Sequence, residues 1–346
     1  MTVATGRARS LAALIAATSL TLTACQQGSS PEPGPEMGNA VAQPSPAATG
    51  ADGRVIELPA ATAEISDMEV SGDVLGLRSE TTLTIGTVGE IESGDATELS
   101  VDAACGDLTV TGTTFVLPCG DEVRLIDAAN PADEEIRDVS DAAPATVAAL
   151  LSTGELIVGN DREAEVTVYR DGEDPETIAV AAPTTQMIAV QVAGSPDSVI
   201  RTYNPDTTIQ DIDWTNDRQG GTLRLGIGLG QMSGGPDGLV LASDNSGSQL
   251  TVYTADDVIR LHQTAPVDES PWGVAWDETN RWAWIASTAE NSLAAYDIST
   301  GVPLEEHRLS SVADAHNIVF LSDGTLVAAS ATGDGLQVID NPAAVG

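Results

Sequence analysis

Few residues in this chain could do acid–base or nucleophilic chemistry, and most of them are scattered. The 346 residues include three His, three Cys and 52 Asp and Glu. A general base needs a positioned partner. His316 has a carboxylate two residues upstream in Asp314. Trp272, Trp276, Trp282 and Trp284 are four of the five Trp in the chain. Flat rings at the mouth of a site suit a sugar ring or a cationic group, and inside a fold they suit packing. Asp211 and Asp213 would project to one side of a strand, which alone is a thin basis for a metal site, and three scattered His disfavour a His-ligated metal. Patterns of the HExxH, EF-hand, P-loop and GxSxG kinds do not occur. The Gly-rich run Gly226–Gly230 lacks the strand–turn–helix setting of a dinucleotide fingerprint. No cofactor is expected, apart from weak divalent-cation binding by clustered acids.

Charge excludes further classes. The formal net charge is −38, from 14 bases that are all Arg. Such a chain has nothing to exchange for phosphate counterions, so no nucleic-acid partner is expected. An anionic membrane would not be held by a basic patch either. Attraction for cations or basic partners is favoured. Hydrophobic residues make up 42% of the chain, enough for a substantial core.

The first fifty residues read as an address and a tether. Arg7 and Arg9 precede an apolar stretch from Leu11 to Leu22, too short to span about 30 Å of hydrocarbon as a helix. Residues 1–24 therefore read as a signal peptide. The run ends Leu22-Thr23-Ala24-Cys25, which resembles a bacterial lipobox. That resemblance implies diacylglycerol on the Cys25 thiol and cleavage before it, with the two acyl chains that stable anchoring takes. The partner so implied is a membrane, and the location is extracytoplasmic, on the outer face of the bacterial cytoplasmic membrane. Residues 25–52 then form a tether rich in Pro, Gly, Ser and Ala.

The elements that must position the remaining candidates repeat. A short extended segment recurs with anchors at Ile85, Ile126, Tyr169, Ile212, Tyr253, Tyr296 and Ile339, spaced 41, 43, 43, 41, 43 and 43 residues apart. Seven such units match the roughly 40–45-residue period of four-stranded propeller blades. Val, Ile, Thr and Gly dominate, with period-two alternation, so the units are strands rather than helix pairs. The expectation is an all-β, seven-bladed β-propeller over residues 53–346. The last unit has three strands only, and Arg54–Leu58 would complete it and close the ring. In the sixth unit the strands are expected at Gly273–Trp276, Arg281–Ser287, Ser292–Asp297 and Val302–Leu309.

Two units carry a family likeness. Pro-Trp-Gly-Val-Ala, Trp-Ile-Ala and Tyr-Asp-Ile-Ser-Thr-Gly in residues 271–301, with His-Asn-Ile and Ser-Asp-Gly in the last unit, resemble YVTN-type seven-bladed propellers. The layout of lipobox, Pro-rich tether and seven weak blades resembles actinobacterial prolipoproteins of the LppL type. The likeness implies the fold and no single activity.

In propellers generally, the innermost strand a of each blade lines a central channel, and the d–a and b–c loops form its upper face. On that plan Trp272, Asp314 and His316 fall at the funnel mouth, and the b–c loops carry Glu80, Asp121, Glu122, Asp161, Glu163, Asp206, Asp244, Glu290 and Asp334. Candidate ligand-binding residues are Trp272, His316, Asp314, Glu290 and Asp334. Cys105 and Cys119 are equidistant from Gly112, so a hairpin turning there sets them opposite one another and predicts a disulfide, the alternative being two buried thiols. The function expected is that of a binding or scaffold protein holding a protein, glycan or small-molecule partner at the upper face. The alternative is a hydrolase or lactonase-like enzyme using channel carboxylates such as Asp67, with His316.

Overall fold

The structure, a computed structural model, describes residue 2, residues 37–142 and residues 144–345. The signal segment and Cys25 lie outside the described residues. Seven four-stranded antiparallel sheets follow one another along the chain. All seven anchors fall in third strands, from Ile85 in Thr82–Thr87 to Ile339 in Leu336–Ile339. The chain is a seven-bladed β-propeller.

Burial explains the weak alternation of the inner strands. In blade six the third strand, Ser292–Asp297, is buried at five of its six positions because a neighbouring blade covers each face. The outer strands see solvent and turn polar, as in Glu134–Asp138. The core is therefore a ring of inter-blade layers. Leu83, Ile85, Phe115, Leu117 and Ile126 fill the layer between blades one and two. Trp284, Leu293, Ile318, Leu326 and Ile339 fill that between blades six and seven. Fully burying one such side chain is worth about 1.5–3 kcal/mol.

The ring closes as the repeat count requires. Arg54–Ile56 pairs antiparallel with Leu336–Ile339, Val55 opposite Gln337. The strand is shorter than the expected Arg54–Leu58, and Pro59, which has no N–H to give a ladder, follows soon after. Gly53 is required at its start. Its φ is +75°, and a Cβ there would sit 2.3 Å from the Val338 carbonyl oxygen. The outer strand of blade six runs Leu304–Ser310, displaced from the expected Val302–Leu309.

Blade four carries the least regular repeat, yet it has all four strands. Like the third–fourth strand ladders of blades five and six, its ladder has a register shift, here between Gln210 and Ile212. There the Asp211 carboxylate turns inward and accepts the Gly221 and Ile259 N–H groups at 2.7 and 3.2 Å. Asp213 instead pairs with Arg218 at the surface. The Asp-x-Asp pair is thus divided between a backbone clamp and an ion pair.

Residues 37–52 do not run free. Gly38 N–H donates to the Ile227 carbonyl at 3.0 Å. Gln43 N–H donates to Ser270 Oγ at 2.9 Å, and Asn291 Nδ2 to the Pro46 carbonyl at 2.7 Å. Asp52 N–H meets the Ser310 carbonyl at 3.1 Å. Composition gives no sign of this, because an extended Ala/Pro/Ser segment docks through backbone groups and small hydroxyls rather than an apolar face.

Candidate functional site

Each innermost strand enters from the upper loops, so the first residues of the seven strands surround the upper end of a central channel. The channel holds about 730 Å³. One wall is acidic. Asp67 and Glu69 come from Asp67–Ser71 of blade one, and Asp107 from the entry to Thr109–Thr111 of blade two. Asp67 Oδ2 accepts the Leu108 N–H at 2.7 Å. Arg78 spends its guanidinium on the Gly106 and Cys105 carbonyls rather than on a carboxylate.

Each acid is partly exposed to the channel, while protein on the other sides penalises its charge. Burial pushes Asp67 up to about 6, against the Leu108 hydrogen bond and the Arg78 charge. Burial, then the Asp67 charge, pushes Asp107 up to about 7. Glu69 is raised well above the usual carboxylate range, by burial first and then by both Asp neighbours. This wall can therefore present both protonated and ionised carboxyl groups near neutral pH.

Another part of the wall is aromatic. Trp272 and His316 stack with ring centroids 5.0 Å apart and planes 28° from parallel. Burial lowers the His316 pKa, opposed by Asp314, so the imidazole is neutral at pH 7. Side-chain amides complete the lining. Gln231 Nε2 donates to Asn317 Oδ1 at 2.7 Å, and Gln186 Nε2 to the Gly230 carbonyl at 2.8 Å. Asn317 is 2% exposed, and its Nδ2 has no acceptor among the described residues. A buried donor left unpaired costs about 1–3 kcal/mol. At the other end of the channel Trp276 Nε1 donates to Glu278 Oε2 at 2.6 Å, and Arg281 lies 5.9 Å from the ring centroid.

The candidates drawn from the sequence separate into three groups. Trp272 and His316 meet on the channel wall. Asp314 faces away to the rim, accepting the Ser45 N–H at 2.8 Å and the Thr332 hydroxyl at 2.7 Å. Asp334 accepts the Ala313 N–H at 2.8 Å, so it braces a loop. Glu290 is exposed in the turn Thr288–Glu290. Among the other loop acids, Asp244 is buried and accepts the Ile227, Gly228 and Gly247 N–H groups. Turn and loop bonding thus absorbs several of the acids that these loops carry. Among the described residues, no group of three or more His, Cys, Asp or Glu is placed to hold a metal ion.

Cys105 and Cys119 are disulfide-bonded. The register differs from a hairpin centred on Gly112. Thr111 pairs with Thr114 and Val110 with Phe115, so the turn centres between Gly112 and Thr113. Continued, that ladder would put Cys105 opposite Gly120. It ends at Thr109, however, and Gly106 N–H donates to the Pro118 carbonyl at 2.8 Å, which sets Cys105 beside Cys119. Of the other Trp, Trp284 is fully buried between blades.

Glu69, Asp107, Gln186, Gln231 and Asn317 were not singled out by sequence. Their shared signal is a polar residue at the start of an innermost strand, visible only once all seven starts are aligned.

No protein-family model matches the chain, and no curated protein does. Solved structures do match. The chain is similar to a streptogramin B lyase structure, at 12% identity and a TM-score of 0.63, over 82% of this chain and 96% of that one. It is similar to a chain of the Kuenenia stuttgartiensis hydrazine synthase, at 13% identity and a TM-score of 0.61, over 86% and 100%. The WD40 β-propeller domain of Doa1 matches at 12% identity and a TM-score of 0.56, over 86% and 97%. Identities this low carry the propeller fold and nothing finer.

Proposed function

We propose that this chain is a lipid-anchored, extracytoplasmic binding propeller that holds a small polar ligand at the upper end of its channel. The anchor is the diacylglycerol that the lipobox-like Leu22–Cys25 would place on Cys25, as in the actinobacterial LppL-type prolipoproteins the layout resembles. One observation carries the ligand site. A channel of about 730 Å³ sets an acidic wall, a stacked Trp272–His316 pair and an unpaired Asn317 amide around one space. The carboxylates favour a cationic or hydroxyl-rich ligand, the indole a sugar ring or ammonium group, and the amide an acceptor.

The test is a thermal-shift and Trp-fluorescence screen of residues 26–346 against amines, sugars, lactones, cell-wall fragments and divalent cations. A ligand at 100 times its dissociation constant adds about 2.7 kcal/mol of stability. A hit that shifts Trp emission, and is lost in Trp272→Ala, supports the reading. Hits indifferent to Trp272 contradict it.

A second reading is favoured by the raised proton affinities of Asp67 and Asp107 in the channel that His316 also lines. Groups titrating near neutrality suit general acid–base work, as in a hydrolase or lactonase. The likeness to a streptogramin B lyase is one of fold and adds no residue to this reading. Turnover of a lactone that disappears in both Asp107→Asn and His316→Ala would favour it over simple binding.

A further inference from the structure

We infer that residues 38–52 are a docked strap that turns the upper mouth of the channel toward the membrane. This rests on the proposed anchor at Cys25. The strap's partners share one face. Ile227, Ser270 and Asp314 lie in d–a loops, and Thr288 and Asn291 lie in the b–c turn of blade six. Ser45 is the hub. Its N–H donates to Asp314 Oδ1, its hydroxyl donates to the Thr288 carbonyl at 2.7 Å, and its oxygen accepts the Asp314 N–H at 2.7 Å.

The route matters because strand d of each blade rises from the lower loops. Arg54–Ile56 takes the place of strand d in blade seven, so a plain continuation would lead the chain down the outer edge. Gly53 instead turns it toward Asp52. There Ser310 N–H donates to the Asp52 carboxylate at 2.7 Å, and Gln337 Nε2 donates to the Asp52 carbonyl at 2.8 Å. From Asp52 the strap crosses the upper face of blades seven, six and five as far as Gly38.

Chain length then limits the geometry. A leash starting at Gly53 could separate Cys25 from the propeller by about 95 Å at full extension. A leash starting at Gly38 has 13 residue steps and reaches about 45 Å at most. It also leaves from the face that carries Trp272 and His316. The docked strap therefore presents that mouth to the bilayer surface and leaves the Trp276–Glu278 end facing away.

The test uses the full lipidated chain in phosphatidylethanolamine/phosphatidylglycerol vesicles containing a headgroup-linked energy acceptor. Single donors go on Glu290→Cys, at the upper face, and on Thr300→Cys, in the lower turn of the same blade. The expected result is greater energy transfer from position 290 than from 300. That difference should be lost when Gln43→Pro, Ser45→Ala and Asp314→Ala are combined to free the strap. Equal transfer in the parent protein, or greater transfer from 300, overturns the inference. Amide exchange separates its two parts. Slow exchange at Gly38, Gln43 and Ser45 in protein that fails to sediment with vesicles would defeat the anchor and leave the docking intact. Fast exchange at all three would defeat the strap.

Discussion

Ser45 and Asp314 hold each other twice. The Ser45 N–H donates to Asp314 Oδ1 at 2.8 Å, and the Asp314 N–H donates to Ser45 Oγ at 2.7 Å. Two residues 269 apart in sequence are thereby joined at the rim, two positions before His316. The pair belongs to a rim occupied by residues 38–52, and none of those residues lines the channel. Asp314 belongs to the rim and His316 to the channel wall.

This division predicts that Asp314→Ala loosens the strap and spares the channel. Two hydrogen bonds to the carboxylate are lost, from the Ser45 N–H and the Thr332 hydroxyl, each worth about 0.5–1.5 kcal/mol net. Faster amide exchange at Ser45, with unchanged Trp emission, is the expected signature. A changed emission spectrum would mean that rim and mouth are coupled.

The channel acids predict a pH dependence of stability. Burial holds Asp107 at about 7 when folded, against an ordinary value of 3.8. A raised folded value means that the folded state holds the proton more tightly. Its stabilising contribution is complete below pH 4 and is lost as pH rises through 7. Asp107→Asn removes that loss. The variant should match the parent near pH 4 and exceed it at pH 8 by on the order of 1 kcal/mol, channel water screening the remainder. Denaturant midpoints at the two pH values measure this. A variant weaker than the parent at pH 8 would show that the ionised carboxylate is needed.

The disulfide predicts a covalent share of stability. Cys105 and Cys119 are 14 residues apart, and closing a loop of about 15 residues is worth roughly 3 kcal/mol in the chain-entropy model. Replacing both with Ser should lower the denaturant midpoint without changing the far-ultraviolet spectrum at low denaturant. An unchanged midpoint would mean that Gly106 and the blade contacts alone fix this loop.

Arg201 predicts a larger loss. It is 1% exposed and donates to Thr184 Oγ1, Gln210 Oε1 and the Ala182 and Pro183 carbonyls, with no carboxylate partner among the described residues. Arg201→Ala strands these buried acceptors, at about 1–3 kcal/mol for each left unsatisfied. Arg201→Lys should restore little, because one ammonium cannot reproduce the planar fork. Full rescue by Lys in chemical denaturation would refute this.

The repeat was legible because third strands are buried on both faces and end in recognisable turns. Ile85 to Ile339 therefore marked all seven blades, and the missing strand of the last unit pointed to Arg54. The channel wall was not legible as a unit. Asp67, Asp107, Gln231 and Asn317 are separated by up to 250 residues, and only ring closure brings them together. Of the loop acids, Asp334 stood among the candidate ligand residues, and its carboxylate accepts the Ala313 N–H. The strap was hidden because its docking uses backbone groups, which leave no hydrophobic pattern to read.

The proposed ligand site is the upper end of the channel, where the seven innermost strands begin. The most direct measurement is hydrogen–deuterium exchange with and without a hit from the ligand screen, resolved to the starts of the seven innermost strands. Added protection is predicted around Asp67–Glu69, Asp107–Leu108, Gln186, Gln231, Trp272 and His316–Asn317, with none at outer strands such as Glu134–Asp138. Protection confined to the outer strands, with these starts unchanged, would contradict the account.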